Sequence, residues 1–240
     1  MFPAHNLRAP TELGAGGKKL LKIGHRGAKA YEPENTLRSF KRAIELGVDA
    51  VELDVRKTKD NEIVVIHNSD VDKTTDGSGS VNDFTLEEIK KFVTEKGEHI
   101  PTLEEVLEFV GKRVKILVEL KETGIEEKVL GLIREKGLLE TVIIVSFHEE
   151  ALKKVRELNE KVATGLIYVR HKNPIQSALE LKAEYLLPLY RFTHSANIRQ
   201  AHEKGLKMIV WTINREEEVA EYRKKGVDGI ASDRPDILNS

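Results

Sequence analysis

From Leu20 to the end of the chain, short β-branched runs alternate with segments of helical period. The runs predict strands at Leu20–Gly24, Ala50–Arg56, Val114–Leu120, Val142–Ser146, Ala163–Val169, Tyr185–Pro188, Lys207–Thr212 and Gly229–Ser232. Between them the apolar positions recur every 3.6 residues, as on a helix. Asn35–Leu46 places Leu37, Phe40, Ala43 and Ile44 on one face, and Thr102–Val110 opens with Thr-Leu-Glu-Glu, the pattern of a capping box. Further helices are predicted near Glu126–Glu135, Glu149–Leu158, Ile175–Leu181, Ser195–Lys204 and Glu216–Lys224. ELGVDA, EKGLK and KKGVDG each set a glycine where a helix should end.

Strands alternating with helices imply a parallel sheet with helices outside. Eight repeats with no linker between halves favour an α/β fold of the closed (β/α)8 type, a TIM barrel, over a doubly wound open sheet. The latter lacks its GxGxxG turn: the Gly-rich stretch at 14–17 precedes the first strand instead of following it. One run breaks the count. Glu62–His67 follows Ala50–Arg56 after only Lys57–Asn61, too short for a parallel crossover, so the two must form a hairpin. Pairing around Asp60 sets His67 across from Leu53, beside Glu52 and Asp54. Residues 68–100 then read as an irregular, polar insertion containing DGSGS, expected over the site.

Composition narrows the class. The chain has 240 residues, 39 basic against 40 acidic, a net charge of −1 and no cysteine. No disulfide framework or thiolate metal site is available. Balanced charge argues against a nucleic-acid partner, and no apolar run approaches the length of a membrane span, so stable membrane insertion is not expected. Residues 1–18 lack the apolar core of a signal peptide and read as an N-terminal tail, disordered or a cloning remnant. Residues 19–240 are expected as a single domain, and the location as cytoplasmic. Glutamine occurs only at Gln176 and Gln200 while Lys and Glu abound, a thermophile tendency. Oligomeric state has no signal.

The chemistry gathers at predicted strand ends. Glu52 and Asp54 are two apart on one strand and share a face, as do Glu119 and Lys121. Carboxylates directed into a barrel cost several kcal/mol each unless paired or bound to a metal. Three of them make an oxygen cage suited to a hard divalent ion. The alternative is a buried ion-pair network such as Glu52–Lys121. His25 and His67 flank the cluster, and two imidazoles suit general acid–base work. Arg26 offers a planar fork for phosphate oxygens and Lys121 a point charge. No GxSxG and no cysteine supplies a nucleophile. The sum points to phosphate-ester chemistry.

GHRGAKAYEPENTLRSF (24–40), GVDAVELDVRKTKDNEIVVIHN (47–68), TTDGSG (74–79), IPTLEEVL (100–107), ILVELK (116–121), SF (146–147), WTIN (211–214) and DGIASDRPDIL (228–238) together resemble the glycerophosphodiester phosphodiesterase family, which are TIM barrels. The resemblance spans nearly the whole chain. It implies that His25 and His67 are the acid–base pair and that Glu52, Asp54 and Glu119 bind one divalent cation, Mg²⁺ or Ca²⁺ with Mn²⁺ as another candidate. It further implies that Arg26 and Lys121 approach the phosphate, that Glu34 of the ENT motif helps shape the site, and that Trp211, with Phe147, lines the pocket. The expected activity is hydrolysis of small glycerophosphodiesters to glycerol 3-phosphate and an alcohol.

Two positions depart from the family pattern. Asn68 stands where the family usually has Asp, which removes a charge beside His67, and His148 follows Ser146-Phe147 where Asp or Asn is usual. An apolar channel near Trp211, Phe147 and Tyr190 would favour a lysophospholipase D-type activity on lysolipids. A catalytically silent barrel that binds phosphorylated ligands is the remaining alternative. His5, His99, His171, His194 and His202 have no visible metal-site partners and read as surface or helix residues.

Overall fold

A computed structural model describes residues 19–240; the expected tail at 1–18, with His5, lies outside the described residues. Along the chain run β1 (Leu21–Gly24), α1 (Leu37–Glu45), β2 (Ala50–Lys57), β3 (Ile63–Val65), α2 (Leu86–Ile89), α3 (Leu103–Val110), β4 (Lys115–Leu120), α4 (Glu126–Glu135) and β5 (Val142–Ser146). Then follow α5 (Glu149–Leu158), β6 (Ala163–Tyr168), α6 (Pro174–Glu180), β7 (Tyr185–Pro188), α7 (Ser195–Glu203), β8 (Lys207–Val210), α8 (Glu216–Lys225) and β9 (Gly229–Ser232). Eight strands pair in parallel in the order β1-β2-β4-β5-β6-β7-β8-β9, and the β1–β9 and β1–β2 pairings close them into a barrel. The extra strand β3 lies antiparallel on β2, with Val55 opposite Val65 and Lys57 opposite Ile63. β1 pairs with the start of β2 at Ala50 and Val51, and β4 runs along 50–55 on the other edge. β3 therefore takes up the β2 edge where β1 ends.

Alternation along each strand separates two apolar populations. Val51, Leu53 and Val55 pack outward with Phe40 of α1 and Leu107 of α3. Ala50, Leu117, Val145, Ile167, Leu187 and Ile209 fill the interior. The interior is thus packed with side chains and is no pore.

Local signals explain where helices begin and end. Thr102 and Glu105 form the expected capping box at α3. Thr36 caps α1, its Oγ1 accepting from Ser39 N at 3.2 Å. The helix begins later than the periodicity suggested because Asn35 has a left-handed backbone, φ 59°.

Residues 68–100 are less irregular than expected. They contain helical turns at 81–83 and 86–89, and Val71, Val81 and Ile89 bury against Val64, Ile66 and Ile100 as a small separate core. The insertion braces the loop after β1: Lys96 Nζ donates to Tyr31 O (2.6 Å) and meets Glu32 (2.9 Å).

Candidate active site

The interior face of each strand continues past the packed core to the C-terminal rim, where polar groups replace aliphatic ones. On β2, Ala50 is core, and Glu52 and Asp54 follow two and four residues on. On β4, Leu117 is followed by Glu119 and, just beyond the strand, Lys121. His25 and Arg26 follow β1 directly. His67 arrives from the hairpin as its register dictates, with Ile66 N donating to Asp54 O at 2.9 Å. His25, Arg26, Glu52, His67, Glu119 and Lys121 line one cavity of about 170 Å³, floored by Leu117, Val145, Ile167, Leu187, Ile209 and Ala231, with Phe147 and Trp211 on its wall. Its lining includes His67 but no residue of 68–100.

Glu52, Asp54 and Glu119 are all buried, and one oxygen from each lies within 4.8 Å of the others. Glu52 Oε2 accepts from Arg26 N (2.9 Å), and Asp54 Oδ2 accepts from Asn35 Nδ2 (2.8 Å). Lys121 Nζ donates to Glu119 Oε1 (2.6 Å) and lies 3.5 Å from Asp54 Oδ1. Glu52 Oε1 and Asp54 Oδ1 are buried without a hydrogen-bond partner. Such atoms carry a large desolvation cost, and a hard cation is the group that satisfies several carboxylate oxygens at once. The donor set therefore fits a divalent metal.

The electrostatics agree. Burial, reinforced by the charges of Asp54 and Glu119, pushes the Glu52 carboxyl well above the usual range. Glu119 is pushed up to about 7, by burial first and then by Asp54, against the pull of Lys121. Burial would raise Asp54 too, but Arg26, Lys121 and His67 together with the Asn35 hydrogen bond hold it below the ordinary value. Arg26 and Lys121 only partly offset three acids crowded in a dry site, and a divalent ion among them would let all three ionise.

The two histidines are held differently. His25 Nδ1 meets Asp233 Oδ1 at 2.7 Å, and its Nε2 lies 3.9 Å from Glu52. Asn214 fixes Asp233 in turn, Nδ2 donating to Asp233 Oδ2 (2.8 Å) and Oδ1 accepting from Asp233 N (2.9 Å). Burial alone would raise Asp233, but the hydrogen bond and charge of His25 keep it below the ordinary value. His67 Nδ1 meets only the neutral Asn68 Oδ1, at 2.8 Å. Burial lowers the His67 ring below 6.5, and the nearby charges of Arg26 and Lys121 add to that, against Asp54.

Arg26 lies between Glu34 and Asp54, its Nη1 donating to Glu34 Oε1 (2.9 Å) and its Nε 3.2 Å from Asp54 Oδ2, too poorly aligned for a hydrogen bond. Glu34 thus meets the site through Arg26, and its other oxygen meets Lys29 at 3.1 Å. Gly27 makes this turn possible. Its φ is +83°, and a Cβ there would lie 2.6 Å from the Ser39 carbonyl carbon. Trp211 Nε1 donates to Leu187 O (2.7 Å), and its ring meets Phe147 edge-on at 5.8 Å. Phe147 is 41% exposed.

The apolar channel considered from sequence is not formed as drawn. Phe147 and Trp211 line the cavity, but Tyr190 faces the helix layer, meeting the Tyr222 ring edge-on at 5.7 Å with its hydroxyl 3.1 Å from Glu218. Neither strand-end serine is a free nucleophile: Ser146 Oγ donates to Leu120 O (2.8 Å), and Ser232 Oγ to Asn214 Oδ1 (3.1 Å). His171 pairs with Glu149 (3.0 Å) and His202 with Asp228 (2.8 Å), each a single acid rather than a ligand set. His148 is exposed at the start of α5. Asn35, Asn214 and Asp233 were not singled out from sequence, although each lies inside a quoted segment: ENT, WTIN and the final DGIASDRPDIL.

Residues 25–237 match the glycerophosphoryl diester phosphodiesterase family. The chain belongs to this family. It is 43% identical to the glycerophosphodiester phosphodiesterase of Caldanaerobacter subterraneus subsp. tengcongensis over 92% of this chain and 96% of the relative. Among solved structures it is similar to the glycerophosphodiester phosphodiesterase of Agrobacterium tumefaciens (TM-score 0.84, 28% identity, 92% of this chain and 99% of that one). An Oleispira antarctica phosphodiesterase solved with the product sn-glycerol-3-phosphate matches with TM-score 0.83 and 27% identity, over 90% of this chain and 94% of that one. The barrel is thus the fold of the glycerophosphodiester phosphodiesterases to which this chain is similar.

Proposed function

We propose that this chain hydrolyses small glycerophosphodiesters to sn-glycerol 3-phosphate and an alcohol such as choline or ethanolamine, with a divalent cation, Mg²⁺, Ca²⁺ or Mn²⁺, held by Glu52, Asp54 and Glu119. The observation that carries this reading is the pair of buried oxygens without a hydrogen-bond partner, Glu52 Oε1 and Asp54 Oδ1, in a cluster whose Glu52 and Glu119 line one cavity with His25 and His67. When bound, the ion supplies Lewis-acid polarisation of the phosphodiester.

The remaining steps belong to side chains. Arg26 and Lys121 orient the phosphate and offset its charge. His67, with its Nδ1 proton fixed on Asn68 and its ring kept neutral by burial, takes the proton of the attacking oxygen at Nε2. That oxygen is water, or the glycerol 2-hydroxyl, in which case the cyclic phosphate formed is opened by water in a second displacement to give glycerol 3-phosphate. A bond from the attacking oxygen to phosphorus forms as the bond from phosphorus to the alcohol oxygen breaks. His25, oriented through Nδ1 by Asp233, returns a proton to the departing alcohol from Nε2. Phe147 and Trp211 bound the pocket, and Glu34 holds Arg26 in place.

Size favours small diesters over lysolipids. A cavity of about 170 Å³ is below the range of about 300–1,000 Å³ typical of drug-sized ligand sites, so an acyl chain would have to lie outside it. The silent-barrel reading fails to explain why so costly a buried cluster is complete. Incubation with glycerophosphocholine and with lysophosphatidylcholine, followed by phosphorus NMR, tests the assignment. Glycerol 3-phosphate from the first substrate supports it. Cleavage of the lysolipid alone, or of neither, contradicts it.

A further inference from the structure

We propose that the rim formed by the loops after β6 and β7 is a docking surface for an anionic lipid bilayer, placed beside the mouth of the catalytic cavity. Charge is distributed unevenly along this chain. Acidic residues number 40 of 240, yet no Asp or Glu occurs from Lys161 to Leu179 or from Tyr185 to His202. The two stretches form neighbouring strands, joined by the β6–β7 pairing of Tyr168 with Pro188, and their loops emerge at the same end of the barrel as His25 and Glu52.

These loops present cations and apolar tips together. Arg170, Lys172 and Arg191 are exposed. Val169 is 40% and Phe192 43% exposed, two of the few large apolar side chains left in water among the described residues. Arg170 sits over the Phe192 ring, its guanidinium carbon 4.5 Å from the centroid, which ties one loop to the other. Phe147, at the end of the adjacent β5, extends the apolar tips to the cavity wall. Of the acids on the neighbouring helices, Glu149 holds His171 at 3.0 Å and Glu218 meets the Tyr190 hydroxyl at 3.1 Å.

Exposed aromatic and aliphatic tips flanked by Arg and Lys match the chemistry of an anionic bilayer surface, where apolar groups enter the headgroup boundary and cations meet lipid phosphates. A protein partner would need complementary acids and apolar pockets, for which nothing here argues. With a net charge of only −1, the chain as a whole is not drawn to an anionic bilayer, so attraction depends on a local patch of this kind.

Vesicle co-sedimentation tests this with the full chain. Vesicles of phosphatidylcholine alone are compared with vesicles also containing phosphatidylglycerol, at low and high salt. We expect binding only to the anionic vesicles and weaker binding as salt rises. The double variant R170E/K172E should bind about thirty-fold more weakly or worse, at about fivefold per lost cation, and F192A should bind measurably more weakly. Both should keep the wild-type rate on soluble glycerophosphocholine, which also shows that they fold and keeps this test separate from the assignment of the reaction. Absence of binding to anionic vesicles at low salt overturns the proposal. So does equal binding by wild type and R170E/K172E, or a change of oligomeric state in these variants with vesicle binding intact.

Discussion

His25 Nδ1 and Asp233 Oδ1 lie 2.7 Å apart although 208 positions separate them in the chain. The two residues follow β1 and β9, the strands whose pairing closes the barrel, with Gly24 opposite Ser232. Closure of the fold and orientation of the ring are therefore one structural event. The carboxylate fixes which nitrogen faces the cavity and offsets the charge of the ring when it holds two protons. We expect Asp233→Asn to lower kcat about tenfold to a hundredfold with little change in KM, and Asn214→Ala to act in the same direction but less. Steady-state kinetics on glycerophosphocholine would show this; an unchanged kcat in Asp233→Asn removes the pair from the mechanism.

His67 has a neutral partner where the family usually has an acid. Replacing Asn68 by Asp adds a negative charge beside Nδ1, which favours the protonated ring and raises the His67 pKa from its lowered position. A base that protonates at higher pH is lost earlier on acidification. The acid limb of the kcat/KM profile should accordingly move to higher pH in Asn68→Asp, and a limb that stays in place contradicts the role given to His67.

The acid cluster makes a prediction about stability without metal. Glu119 titrates near 7 in the folded chain against 4.5 ordinarily, and Glu52 is raised in the same direction. The folded state therefore holds more protons than the unfolded one between those values, and stability of the metal-free protein should fall as pH rises from about 4.5 to 7. A divalent ion needs the ionised carboxylates, so its stabilising effect should grow over the same interval. Thermal melts at several pH values, with EDTA and with Mg²⁺ or Ca²⁺, would display both trends. A metal-free melting temperature that rises toward neutrality would contradict the burial argument.

Removing one of these acids should separate function from stability. Glu52→Gln keeps an oxygen for Arg26 N but gives up a charge the site resists. The metal-free variant is expected to melt higher than the metal-free wild type while losing activity to near background, as expected where a costly site serves function. A variant that melts lower without metal would show that Glu52 is held by the ion-pair network rather than kept for an ion.

Much of this site could be read before any coordinates. Strict alternation placed Glu52, Asp54 and Glu119 on the barrel interior, and the short link Lys57–Asn61 forced the hairpin that carries His67 to them. The residues that escaped notice, Asn35 and Asp233, sit where alternation stops: Asn35 in a left-handed turn, Asp233 one step past a strand end. Tyr190 is the opposite case. It stands four residues after Leu186, which packs in the helix layer while Leu187 faces the interior, so alternation itself puts the Tyr190 ring outside the cavity. The insertion at 68–100 shows no regularity in sequence because its apolar residues follow no single period, yet Val71, Val81 and Ile89 still find one another as a core.

The central claim is that Glu52, Asp54 and Glu119 hold a divalent cation on which hydrolysis depends. The most direct test is turnover of glycerophosphocholine by protein stripped with EDTA and then titrated with Mg²⁺, Ca²⁺ or Mn²⁺. Loss of activity on stripping and its return with a saturable dependence on one of these ions is the predicted result. Full activity in the stripped protein, unaffected by any of the three, would contradict it.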